Sequence, residues 1–223
     1  MIVQEPRVGI EISNDQLVMM SKLVQKALEL SLKSLFERNI LLARNVIDSD
    51  KPINSYEIDI DNSTFGLLAF SNIPPDILRQ IIAIQKINAM LERMGDHAVN
   101  IAESAISLAS YEKSTDFLSL PEMADRCKKL LNDALKSFFN KDTRLAQEVC
   151  GRDDEIDTLN KDLTNKVQVK VLAGELSFLA ALDLVRVSKN LERIADLSTN
   201  IAEEATFAAI GRIIKHNEED LPY

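Results

Sequence analysis

The chain has 223 residues, 46% of them hydrophobic, and a formal net charge of −9. That hydrophobic share is enough for a packed core and excludes a wholly disordered chain. No apolar run approaches the roughly 18 residues a membrane-spanning helix needs. An acidic balance with no long Lys/Arg run argues against sequence-independent nucleic-acid binding.

Six Gly and six Pro are too few for the frequent turns of a β-rich fold, so a mostly helical chain is expected. The start of the chain, Met1 to Pro6, lacks the basic region and apolar core of a signal peptide. The two cysteines, Cys127 and Cys150, form no CxxC pair and read as reduced core residues of a cytosolic protein. The two histidines, His97 and His216, are too few for a His/Cys zinc site or for the paired Glu-x-x-His set of di-iron bundles.

In chain order, residues 1–13 read as an N-terminal extension. Ser13 with Gln16 forms a capping box that opens the first helix, which runs to about Arg38. Asn39 caps a second helix. Pro52 falls inside that helix, where it removes a backbone donor and kinks it. Asn72-Ile73-Pro74-Pro75-Asp76 separates the second helix from a third. There Ile84, Ile87, Leu91, Met94, Ala98, Ile101, Ala105 and Leu108 step by three and four, the seam of a helix packed at a small crossing angle. Tyr111 to Ser119 is a linker. Ser119, Pro121 and Glu122 open a fourth helix, Asp142 caps a fifth, and Gly174 ends it. The sixth helix repeats the seam at Leu184, Val187, Leu191, Ile194, Ser198, Ile201, Ala205 and Ala208. Residues 216–223 form a C-terminal tail.

The second half is a copy of the first. Leu91 to Glu103 recurs as Leu191 to Glu203, with eight of thirteen positions identical at an offset of 100. Upstream, Leu32-Lys33-Ser34, Leu42-Ala43, Val46, Asp50 and Ile53 return as Leu135-Lys136-Ser137, Leu145-Ala146, Val149, Asp153 and Ile156 at an offset of 103. The expected fold is therefore all-α: two tandem three-helix bundles of six long helices, over residues 14–111 and 119–215.

Carboxylates carry the candidate chemistry. Glu92, Asp96 and Asn100 are spaced i, i+4, i+8 and share one helix face, as do Glu192, Asp196 and Asn200. If the second and third helices fold back about residue 73, then Asp50, Asn54 and Glu57 fall level with residues 96, 92 and 89. About residue 174, Asp153, Asp157 and Asn160 fall level with 195, 191 and 188. Each bundle can thus gather Asp or Glu side chains from two helices: Asp50, Glu57, Glu92 and Asp96 in the first, Asp153, Asp157, Glu192 and Asp196 in the second. An all-oxygen set without histidine suits hard cations such as Mg²⁺, Ca²⁺, Mn²⁺ or ferric iron. The bland alternative is a solvated acidic face. Because of Pro52, the first site is expected to be looser than the second. Arg93 and Arg193 are placed to pair with Asp96 and Asp196.

The two copies of Leu-Glu-Arg-x-x-Asp-x-x-x-Asn-Ile-Ala-Glu, with the acidic run Arg152-Asp153-Asp154-Glu155-Ile156-Asp157, resemble the PhoU family of phosphate-uptake regulators over about residues 14–215. The resemblance implies a tandem PhoU-like fold and a cytoplasmic, non-enzymatic protein that restrains the phosphate-starvation response. It implies metal at these acids, iron clusters included, and two partners: the ATPase subunit of a high-affinity phosphate transporter and a sensor histidine kinase. A homodimer is compatible with it; nucleic-acid binding and membrane insertion are not expected. Lys51-Pro52, Asn54 and Asn160 depart from the family pattern. Two other readings stay open: a metal-dependent hydrolase that activates water on a carboxylate-bound metal pair, and an accessory subunit of a low-affinity phosphate permease.

Overall fold

The structure, a computed structural model, describes residues 6–111 and 117–212, with Asp153 described by its backbone alone. Among the described residues there are eight helices and no strand. Six are long: α1 (Pro6–Phe36), α3 (Lys51–Leu68), α4 (Pro75–Ala109), α5 (Leu120–Phe139), α7 (Asp153–Leu172) and α8 (Phe178–Ile210). Two are short, α2 (Ile40–Asp48) and α6 (Thr143–Cys150). The duplicated order is visible at once, α1–α4 repeating as α5–α8.

Local signals explain most boundaries. Asn39 and Asp142 are N-caps, each accepting from the backbone N–H three residues on at 3.0 Å. The residue before each cap, Arg38 or Lys141, takes a left-handed conformation that closes the preceding helix. Gly174 (φ +73°) does the same after α7, where a side chain would be strained.

Four expectations need correction. The first helix opens at Pro6, not at Ser13, so the segment set apart as an extension belongs to α1 from Pro6 onward. Ser13 is buried within the helix, where its hydroxyl donates to Gly9 O at 3.1 Å and lies 2.9 Å from Ser63 Oγ. The helix expected after each Asn39/Asp142 cap is divided in two in both repeats, at residues 49–50 and 151–152. Pro52 therefore lies in the first turn of α3, where no intrahelical partner is lost and its fixed φ suits the helix, so it produces no kink. Ser119 does precede α5, but its hydroxyl donates to Asp162 Oδ2 at 3.1 Å instead of capping.

In the first repeat α1, α2 and α3 pack on α4; in the second α5, α6 and α7 pack on α8. The two seam helices also pack on each other and hold the halves together. Every seam residue from Ile84 to Leu108 is buried, as is every counterpart from Leu184 to Ala205; Ala208 is half-buried. Side-chain pairs fix α4 and α8 as antiparallel: Lys86 with Glu204, His97 with Asn190, and Ser107 with Asp183. Among the described residues no helix is long and apolar enough to cross a membrane.

Candidate metal centres

The backbone register of α3 against α4 is the one the reflection about residue 73 predicts. Asn88 Nδ2 donates to Glu57 O and to Asp61 Oδ1, both at 3.0 Å. About two turns further along α4, Gly95 faces Asp50 and Ile53. A β-carbon at position 95 would sit 3.2 Å from Ile53 Cδ1 and 3.4 Å from Asp50 Oδ1. Glycine here lets Asp50, the residue just before α3, come down onto α4.

Glu92 lies between these contacts. Its carboxyl is held above the usual range, first by burial and then by Asp96, Glu57 and Asp50, with the Arg93 guanidinium opposing. Asp50, Glu57, Glu92 and Asp96 therefore form one electrostatic group. Two of the oxygens nearby are buried without a hydrogen-bond partner: Asp50 Oδ1 and Asn88 Oδ1. Asn88 is 1% exposed, so its carbonyl cannot turn to solvent. Buried acceptors left unpaired are costly. The other Asp50 oxygen accepts from Asn54 Nδ2 at 2.8 Å.

The second repeat keeps the register but fills it differently. Ser188 Oγ donates to Asn160 Oδ1 at 2.6 Å, tying α8 to α7 at the level of Asn88 and Glu57 in the first repeat. Glu192 is 13% exposed, and the Lys189 ammonium forms an ion pair with its Oε2, although that oxygen makes no well-formed hydrogen bond. Arg193 reaches Asp196 at 3.5 Å, the i, i+3 pairing expected from the sequence. Asp157 and Asn200 are half-buried, and α7 begins at Asp153.

Not every predicted residue joins a cluster. Asn100 Oδ1 accepts from Arg186 Nη2 at 2.8 Å, and Arg186 also pairs with Glu103, so Asn100 serves the contact between repeats. His97 Nδ1 lies 2.8 Å from Asn190 Oδ1 across the same interface. Among the described residues no three Asp, Glu, His or Cys side chains converge tightly enough to enclose an ion. The first-repeat carboxylates share one level of the bundle without sharing one point. In kind they fit a hard cation, being all oxygen donors with two orphaned buried acceptors and a glycine cradle.

Asn88, Asp61 and Lys189 were missing from the sequence-based sites. Asn88 was legible, since it extends the Glu92–Asp96 ladder by one turn toward the N-terminus.

The fold and site define a class: an all-helical scaffold made by duplication, with a run of carboxylates along the seam helix of each half. The family model described as PhoU domain matches the chain twice, over residues 17–105 and 120–205. The chain belongs to the PhoU family. It is 36% identical over 207 residues to the phosphate-specific transport system accessory protein PhoU homolog of Aquifex aeolicus, covering 93% of this chain and 94% of that one. It is 30% identical over 216 residues to the protein of the same name from Pseudomonas putida, covering 96% and 84%. Its fold matches the crystal structure of PhoU from Pseudomonas aeruginosa with a TM-score of 0.89 at 27% identity, covering 93% of this chain and all (100%) of that one. The phosphate transport system regulatory protein PhoU from Streptococcus pneumoniae has the same fold, with a TM-score of 0.84 at 23% identity over 94% of this chain and 99% of that one. These relatives are named accessory and regulatory proteins.

Proposed function

We propose that this chain is an accessory and regulatory protein of a phosphate transport system, and that it works in the cytoplasm through protein contacts. The observation that carries the reading is the match over nearly its whole length, in both repeats, to relatives named for that role. Its partners in this reading are the ATPase subunit of the transporter and a sensor histidine kinase, with a homodimer as a further assembly. The acidic surface and net charge of −9 suit protein partners better than DNA.

In the same reading, the first-repeat carboxylates Asp50, Glu57, Glu92 and Asp96 hold a hard cation, iron, Mn²⁺, Mg²⁺ or Ca²⁺. Support comes from the raised Glu92 carboxyl and the orphaned oxygens of Asp50 and Asn88. A bound cation supplies charge neutralisation and ties α3 to α4. Asp50 would hold it from the turn before α3, Glu57 from α3, and Glu92 and Asp96 from α4. Rotation of these side chains, rather than movement of the backbone, would close them around it.

The test is genetic and biochemical. Deleting the gene should make a phosphate-starvation reporter active at high phosphate, and the full chain should restore repression. Cross-linked, affinity-captured protein should retain the transporter ATPase and the kinase. A deletion that changes neither the reporter nor phosphate uptake would remove the role proposed.

A further inference from the structure

We infer that the solvent face of α3 is a docking surface for a basic amphipathic helix of a partner protein. The inference rests on the reading of this chain as a regulator that acts through protein contacts, and it names the face and the chemistry of what binds there.

Helical spacing sets the face. Ile53, Ile60, Thr64 and Leu67 turn into the core. Positions 51, 54, 58, 61, 65 and 68 step by three and four along another side of the same helix, and all six are exposed. Three of them are large and apolar: Ile58, Phe65 and Leu68, at 60%, 73% and 40% exposed. Leu78 of α4, level with Leu68 across the turn about residue 73, is exposed as well. An apolar stripe of this spacing left open to water is the seam of a helix–helix contact without its second helix.

The duplication shows that the fold does not require the stripe. The helix α7 is the copy of α3, and the offset of 103 puts Lys161 at the position of Ile58, Gln168 at that of Phe65, and the half-buried Val171 at that of Leu68. The core positions Ile53 and Ile60 stay apolar and buried as Ile156 and Leu163. The register is therefore the same, and the solvent face is what differs.

Charge identifies the occupant. No Lys or Arg lies between Lys51 and Arg79, whereas Glu57, Asp59, Asp61 and Asp76 all fall in that stretch. None of these four is ion-paired among the described residues. On α7, by contrast, Glu155 pairs with Arg126, and Asp162, the copy of Asp59, pairs with Lys166, both at 2.6 Å. An apolar stripe in an acidic field repels an anionic lipid surface. A second copy of this chain, docked symmetrically, would bring the same acids face to face. The complement is a helix with apolar anchors at i, i+3 or i+4 and i+7 and with Lys or Arg on its flanks.

The experiment uses the full chain and a labelled peptide of about 18 residues of Leu and Lys, with Leu confined to one helical face. Fluorescence anisotropy gives the affinity, and far-UV circular dichroism shows that each variant is helical. The control peptides are the same composition in scrambled order and a version with Glu in place of Lys. Wild type should bind the basic amphipathic peptide about tenfold or more tightly than either control. Ile58→Lys/Phe65→Gln, which installs the residues that α7 carries, should weaken binding by about tenfold or more. Leu172→Gln, at an exposed leucine of α7, should leave it unchanged. Asp59→Asn/Asp61→Asn should weaken binding and flatten its salt dependence. Equal affinity for the scrambled peptide, or unchanged binding in Ile58→Lys/Phe65→Gln, would overturn the inference. So would Phe65-dependent binding to phosphatidylcholine–phosphatidylglycerol vesicles, which would make the occupant a membrane, or Phe65-dependent self-association in sedimentation, which would make it a second copy. A reporter assay in the deletion strain separates this inference from the reading beneath it. There Ile58→Lys/Phe65→Gln should fail to restore repression at high phosphate. If it restores repression as fully as wild type, the docking face is overturned and the regulatory role is kept. If the deletion itself leaves the reporter unchanged, the regulatory role fails, and this inference with it.

Discussion

Lys86 and Glu204 join the two repeats through an ion pair with one exposed and one buried partner. Lys86 Nζ donates to both Glu204 carboxylate oxygens, at 2.9 and 3.1 Å, and the side chains are 45% and 2% exposed. The ammonium also lies 5.5 Å from the centre of the Phe207 ring. The offset that aligns the seam helices places Arg186 at the equivalent of Lys86, and Arg186 pairs back onto Glu103. The halves are thus cross-linked by two ion pairs whose cations are related by the duplication and whose acids are offset by one residue, the counterpart of Glu204 being Ser104.

Removing the Lys86 ammonium takes two charge-assisted hydrogen bonds from a carboxylate that is 2% exposed. Breaking a fully buried pair costs roughly 3–5 kcal/mol. Because Lys86 is nearly half exposed, about 1–3 kcal/mol is expected for Lys86→Met after screening. Lys86→Met/Glu204→Gln should recover part of that loss. Urea unfolding of the three proteins measures it, and an unchanged midpoint in Lys86→Met would show that the pair adds nothing.

Glu92 sets a pH dependence. Its carboxyl is raised in the folded protein, so the native state holds this proton more tightly than the unfolded chain. The stability linked to it is fully present below the ordinary carboxyl value and is lost as pH rises through the raised value. In chelator-treated protein, Glu92→Gln should therefore melt above wild type at neutral pH. The difference should shrink as pH falls below the ordinary carboxyl range. A lower melting temperature for Glu92→Gln at pH 7 would contradict this electrostatic account.

The cysteines should differ in reactivity. Cys127 is fully buried against α8, its thiol 3.4 Å from Leu191 O, and burial pushes its pKa up to about 12. Cys150 ends α6 and is half-buried. A thiol reagent at mildly alkaline pH should label Cys150 in the native protein and Cys127 only after unfolding. Equal labelling rates for the two in the native state would show that the α5–α8 core opens freely.

The charge distribution predicts no appreciable binding to promoter DNA at physiological salt. A gel-shift titration measures this, and tight salt-resistant binding to a specific fragment would argue for direct rather than protein-mediated regulation.

Much of this was readable in advance. The heptad-like seam from Ile84 to Leu108 and its copy specify buried helix faces directly, because every third or fourth position is apolar. The duplication gave the halves, and the caps Asn39, Asp142 and Gly174 gave boundaries. The N-terminus of α1 was missed because Ser13 and Gln16 mimic a capping box, while tertiary contacts to Ser63 decide what Ser13 does. Pro52 misled for a related reason. A proline signals a break wherever it falls, and only the turn at residues 49–50 shows that a helix begins beside it. The level of Asp50, Glu57, Glu92 and Asp96 followed from simple reflection about residue 73. The buried Asn88 carbonyl and the Lys189 ion pair did not, because they depend on which side chain turns inward at a given level.

The most direct test of the central claim is the metal content and melting temperature of freshly purified protein, before and after chelation, for wild type and Glu92→Gln/Asp96→Asn. A cation that neutralises Asp50, Glu57, Glu92 and Asp96 binds the native state and stabilises it by mass action. Wild type should then carry metal and melt lower once it is chelated, and the variant should carry little and show no response. If chelation changes neither the metal-to-protein ratio nor the melting temperature of wild type, the carboxylates are a solvated acidic face and the claim is contradicted.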